Sequence, residues 1–141
     1  MSAKVSFTNY LALLADGLWK AGEVEEGLTV VAEAFETMEQ TGERFYGAEL
    51  YRLKGELFLK SGDIRRVEES QACFERAMEI ARAQRAKSWE LRAAMSLSRL
   101  WTEFGRTHEA RRVLSEVFDW FTEGFETVDL KAARTLLDEL A

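Results

Sequence analysis

One histidine, one cysteine and two adjacent acid pairs are the side chains of this 141-residue sequence best suited to chemistry. A histidine serves as a general base only with a proton partner and a pocket around it. His108 lies in 106-RTHE-109, an expected inter-helix turn where its ring meets solvent. As a lone imidazole it also lacks the ligands at matching spacing that a metal site needs. Cys73 precedes Phe74 on what reads as the packed face of a helix, which suits a small buried group better than a nucleophile. Glu25–Glu26 and Glu68–Glu69 are consecutive, so the members of each pair point to different helix faces. That geometry serves solvation, not two carboxylates flanking a substrate. The fragment 60-KSG-62 has the letters of a phosphate loop in the wrong order, and Gly-x-Gly-x-x-Gly does not occur. No set of nucleophile, base and orienting group emerges. The expectation is a chain that is not an enzyme, with no catalytic residue, cofactor or metal.

The bulk properties describe what must position any other kind of site. The length suits one domain, 1–141, able to bury a genuine core. A hydrophobic fraction of 47% beside 31% charged residues fits a globular chain rather than a disordered one. No apolar run approaches the roughly 20 residues that span a bilayer, and MSAKVSFTNY lacks the layout of a secretory signal. A single cysteine excludes an internal disulfide, so a cytoplasmic location and no membrane partner are expected. The net charge of −6 opposes the basic footprint of nucleic-acid binding. Residues 1–42 set two lysines against seven acids, which read as solvated helix faces. Proline is absent and the glycines fall mainly where helical patterns end, as in helices joined by very short turns.

Internal repetition supplies the architecture. With Gly22, Gly62 and Gly105 in register, three stripes appear: Leu11–Ala15–Leu18, Tyr51–Gly55–Phe58 and Ala94–Ser98–Trp101. Each runs at spacings of four and three, which keeps its members on one helix face. Gly55 falls at the small position of its stripe, where paired helices come close. Beyond the glycines, Gly27–Val31–Ala34 and Ala110–Leu114–Val117 stand at identical offsets. Ser70–Phe74–Ala77 is displaced by three residues, so the middle turn is three residues longer. The sequence predicts helices over 5–21, 23–41, 43–61, 66–85, 87–104 and 106–122, paired into units 5–41, 43–85 and 87–122. A seventh helix over 127–140 covers the open end, as stacked repeats require.

The stripe of small, then large, residue and Gly, followed by a small residue five positions on, resembles the tetratricopeptide repeat. The terminal proline of that repeat is missing, and the spacings of 40 and 43 residues exceed its usual length of about 34. The resemblance implies an all-α fold: a right-handed superhelical stack of three antiparallel helix hairpins, with repeats of about 40 residues and a C-terminal capping helix. The runs 41-TGERFYGAELYRLKGELFL-59, 73-CFERAMEIARAQRAKSWELRAAMSLSRLW-101 and 120-WFTEGFETVDLKAARTLLDEL-140 are similar to the C-terminal tetratricopeptide region of bacterial adenylate/guanylate-cyclase-like and signal-transduction ATPase regulators. In that family the repeats sense or scaffold while an upstream domain does the chemistry.

Such a stack exposes a concave face lined by the first helix of each unit. Its lining is expected to include Asp16, Trp19, Arg52, Glu56, Leu59, Met95 and Arg99, a mixed surface for an extended peptide or a partner helix. Trp19 suits either that groove or packing against a neighbouring helix. Repeat modules that clamp C-terminal carboxylates carry lysine and asparagine where this chain has Ala12 and Asp16, which argues against that ligand class. A second surface, of Phe7, Tyr10, Trp120, Phe121 and Phe125, could serve self-association. Three functions compete: a regulatory module that binds protein or peptide, a homodimerisation module using apolar ends, and a small-molecule sensor or enzyme using the groove. The first has the most support.

Overall fold

A computed structural model describes residues 3–141, with side chains from Phe7 onward; Met1 and Ser2, at the start of the expected domain, lie outside the described residues. The fold is all-α: α1 (Ala3–Ala21), α2 (Val24–Thr41), α3 (Gly47–Lys60), α4 (Val67–Ala83), α5 (Lys87–Glu103), α6 (Thr107–Phe118) and α7 (Val128–Leu140). No strand occurs among the described residues.

The three glycines in register end their helices through one device. Gly22, Gly62 and Gly105 all take positive φ, between 74° and 79°, which side chains with a Cβ adopt only under strain. After α1, the Gly22 N–H donates to Trp19 O and the Glu23 N–H to Leu18 O. After α5, Gly105 and Arg106 repeat both bonds, to Thr102 O and Trp101 O, a paired closure of the last carbonyls. The middle unit differs. Asp63 N–H donates to Ser61 Oγ, and that hydroxyl donates to Phe58 O, so a side chain relays the second bond. A one-turn 3-10 segment, Ile64–Arg66, then absorbs the three extra residues of this turn.

Two helix boundaries differ from expectation by four residues, the others by no more than two. α3 starts at Gly47 rather than 43, because the side chains of Thr41 and Glu43 accept from the Glu43 and Phe45 N–H groups and hold a turn there. α6 stops at Phe118 rather than 122. The Trp120 and Phe121 N–H groups reach back only three residues, to Val117 O and Phe118 O, which tightens and ends the helix. Because α6 begins at Thr107, His108 sits in its first turn, exposed as expected but helical rather than in the turn before it.

Each odd-numbered helix packs against the even-numbered helix that follows it, and each even-numbered helix packs against the next odd one. The odd helices also touch in succession, α1 to α3, α3 to α5 and α5 to α7. Two apolar cores result. Leu50, Leu53 and Leu57 of α3 join Leu11, Ala15, Val31 and Ala34 of the first hairpin. Phe74 and Ala77 of α4 join Leu91, Leu97, Leu114 and Leu130 of the later helices. The three small positions are all fully or nearly fully buried where helices meet. Ser98 uses the proximity to donate a 3.0 Å hydrogen bond to Ala110 O of α6. Gly55 lies so close to α4 that an added Cβ would stand 2.5 Å from Phe74 Cε1. Cys73 is buried, and that burial raises its thiol pKa, as fits a packing residue.

Candidate functional site

Because the odd helices lie side by side, one face of each opens onto a common cleft of about 510 Å³. The lining recurs by register. Asn9, Glu49 and Arg92 stand thirteen residues before their capping glycines, and Ala12, Arg52 and Met95 stand ten before; all six line the cleft. Asp16, Trp19 and Arg99 continue it toward the C-terminal ends of α1 and α5, and Val128 and Asp129 of α7 close the far wall.

Charge in the cleft is organised as a strap across all four odd helices. Glu49, with its side chain 12% exposed, accepts from Arg52 Nε at 3.0 Å and Arg52 Nη2 at 2.7 Å. It also accepts from Arg92 Nη1 at 3.0 Å, while Arg92 Nε donates to Asp129 Oδ2 at 2.9 Å. At the other end the Arg52 guanidinium lies 5.9 Å from the centre of the Trp19 ring. Burial alone would raise the Glu49 pKa, but the hydrogen bonds and charge of Arg52, reinforced by Arg92, hold its carboxyl below the usual range. Against their own desolvation, Glu49 raises the pKa of Arg52, and Asp129 together with Glu49 raises that of Arg92.

Nearby, Lys20 pairs with Asp16 at 2.9 Å. Among the charged residues that line the cleft, Arg99 alone has no ion pair or hydrogen bond, and it is solvent-exposed. An aromatic corner completes the surface. Trp89 lies 4.8 Å from Phe45 and 5.8 Å from Tyr46, ring centre to ring centre, and Tyr46 and Trp89 line the cleft.

Of the expected groove residues, Asp16, Trp19, Arg52, Met95 and Arg99 line the cleft. Arg52 is not a free anchor, however; it is 8% exposed and bound to Glu49. Glu56 and Leu59 fall outside the lining. Leu59 packs against the second core, and Glu56 sits half-buried where its charge supports Arg52. The same register positions reach the cleft on α1 and α5, at Asp16, Trp19 and Arg99, whereas α3 presents Glu49, Arg52 and Leu53 instead. The residues expected to serve self-association lie at two places. Phe7 and Tyr10 stack at 6.2 Å on α1, whereas Trp120, Phe121 and Phe125 lie at the other end of the stack, between α6 and α7. Phe121 is half-buried against the core. No group of His, Cys, Asp and Glu that could hold a metal ion occurs among the described residues, and no helix there is long and apolar enough to cross a membrane.

Sequence reasoning missed Glu49, Arg92, Asp129, Tyr46 and Trp89. The i,i+3 spacing of Glu49 and Arg52 is a readable pair, and Arg92 occupies the register position of Glu49. Asp129 had no such signal, since α7 lies outside the three aligned units.

No family model matches the chain, and no solved structure matches it. Among curated proteins it is similar to an uncharacterized protein of Rhizobium meliloti (strain 1021), 35% identical over 97 residues, or 69% of this chain. The matched stretch spans only 9% of that relative's length.

Proposed function

We propose that the chain is a non-catalytic protein-interaction module of tetratricopeptide type, a right-handed stack of long helix hairpins that binds a peptide or partner helix in its cleft. A bacterial signalling protein acting in the cytoplasm is the setting this reading favours. The register of the three hairpins and the resemblance to repeat regions of cyclase-like and ATPase regulators support it. So does the share of the matched relative, as a repeat segment within a long regulatory chain would give.

The observation that carries the reading is the charge balance of the cleft. Asp16, Lys20, Glu49, Arg52, Arg92 and Asp129 satisfy one another, and Arg99 is left free. A ligand that crosses the cleft therefore meets neutralised walls, exposed apolar groups such as Leu13 and Val128, and one open guanidinium. Arginine in such a setting favours a carboxylate, held in a two-pronged hydrogen bond. The partner is accordingly a protein segment with one acidic side chain among apolar ones. Selection of random peptides displayed on phage against the immobilised chain should enrich segments of that composition. Arg99→Glu, which breaks no ion pair or hydrogen bond within the chain, should weaken the selected peptides by at least tenfold. Peptides that bind Arg99→Glu and the unmodified chain equally well would refute the reading.

A further inference from the structure

The three units can be compared position by position, and the comparison isolates one surface that lacks its counterpart. Twelve, nine and five residues before the capping glycine, α3 carries Leu50, Leu53 and Leu57, each 0–1% exposed and packed in the core of the preceding hairpin. The same positions in α5 are Ala93, Ser96 and Leu100, each 0–1% exposed. In α1 they are Tyr10, Leu13 and Gly17. Here Tyr10 is 57% exposed, Leu13 is 65% exposed, and an added Cβ on Gly17 would meet nothing within 4 Å. Phe7 and Leu14 extend this charge-free face, at 41% and 37% exposure.

We infer that this face of α1 is a docking site for one further helix hairpin of the same kind, joined ahead of it in a longer polypeptide. The face continues the interface that α3 makes with the first hairpin and α5 with the second. A second copy of the chain is a poorer occupant, because its own α2 and α4 faces of the required shape are already covered by α3 and α5. Gly17 adds a detail of fit. At the α2–α3 joint, Leu57 projects to within 2.7 Å of where a Cβ on Gly27 would lie. At the α1 joint the large residue is missing from the odd helix, so the incoming hairpin must supply it. The face meets the cleft at Leu13, which both surfaces share, and leaves the charged strap and Arg99 of the cleft untouched.

The test lengthens the chain by placing a copy of residues 3–46 directly ahead of Phe7, in place of the first six residues. Tyr46 of the copy then meets Phe7 as it meets Gly47 natively, at the same distance from the capping glycine. Gly27→Leu within the copy fills the Gly17 notch. Tyr10→Cys in the original part, with Cys73→Ala throughout, reports access by thiol labelling. The inference expects labelling to slow at least tenfold on lengthening, and further with Gly27→Leu, while light scattering shows a monomer. Unchanged labelling in the lengthened chain, whether the added hairpin folds or not, would overturn it. So would a dimer of the original chain whose Tyr10→Cys labelling slows with concentration, since a second copy would then be the occupant.

Discussion

Replacing Gly55 by alanine sets two opposed effects against each other at a single carbon. Alanine favours a helix interior over glycine by about 1 kcal/mol. Against this, the new Cβ would stand 2.5 Å from Phe74 Cε1, 2.8 Å from Cδ1 and 3.1 Å from Cζ. Carbon atoms rest at roughly 3.5–4.0 Å, so the ring must retreat by about an ångström. Phe74 is fully buried and the ring is rigid, so the core must move with it. Overpacking of this kind costs about 1–3 kcal/mol. The net expectation is a loss of about 0–2 kcal/mol, or a Tm lower by up to roughly 8 °C at this chain length. Two other glycines calibrate the measurement. Gly27→Ala meets only the terminal methyls of Leu57, at 2.7 and 3.2 Å, which can swing aside, so its effect should be near zero. Gly17→Ala meets nothing and should raise Tm by roughly 3–4 °C. Urea unfolding followed by circular dichroism ranks the three. A double-mutant cycle with Phe74→Leu should return a coupling of about 1 kcal/mol between positions 55 and 74. If Gly55→Ala is as stable as Gly17→Ala, propensity alone governs these sites and the close approach of α3 to α4 is refuted.

Two further substitutions probe the cleft floor and a helix end. Glu49→Ala leaves Arg52 buried without its partner and should cost about 2–4 kcal/mol. Because the Glu49 carboxyl is held below its ordinary range, its contribution is complete above about pH 4.3, the unfolded value, and is lost as pH falls through the lower folded value. Unfolding curves of Glu49→Gln and the unmodified chain should therefore converge in acid; a gap that widens below pH 4 would contradict the pairing. Arg85 closes α4 at φ 57°, donating to Arg82 O while Ala86 donates to Ala81 O, in the arrangement that Gly22 and Gly105 make elsewhere. Arg85→Gly relieves that left-handed backbone and should stabilise by about 0.5–1 kcal/mol; an unchanged or lower Tm would count against it.

The helices were readable because two signals agreed. Apolar spacing marked their faces, and glycine marked their ends through its access to positive φ. Where a helix ended by other means, reading failed. No residue type announces that Glu43 will cap its own turn or that α6 will tighten after Phe118. Arg85 takes the role of a capping glycine with no glycine to reveal it. The longer middle turn was visible only as a three-residue slip in register, and its 3-10 form was not.

The cleft was harder, for a reason that belongs to helix packing rather than to this chain. Register identifies equivalent positions but not how far each helix is rotated toward its neighbours. A rotation of one position moves Leu59 from groove to core. Charge makes the difficulty worse, since Arg52 reads as an exposed anchor until Glu49 and Arg92 are seen to surround it. If the cleft binds as proposed, the same arrangement makes it specific. A floor whose arginines are already paired offers a ligand's carboxylate nothing without breaking an existing bond. Arg99 is the exception, so an acidic residue placed anywhere else along the cleft would lose its hydration without a partner. Selectivity in the proposed binding would come as much from the six charges that are satisfied as from the one that is not.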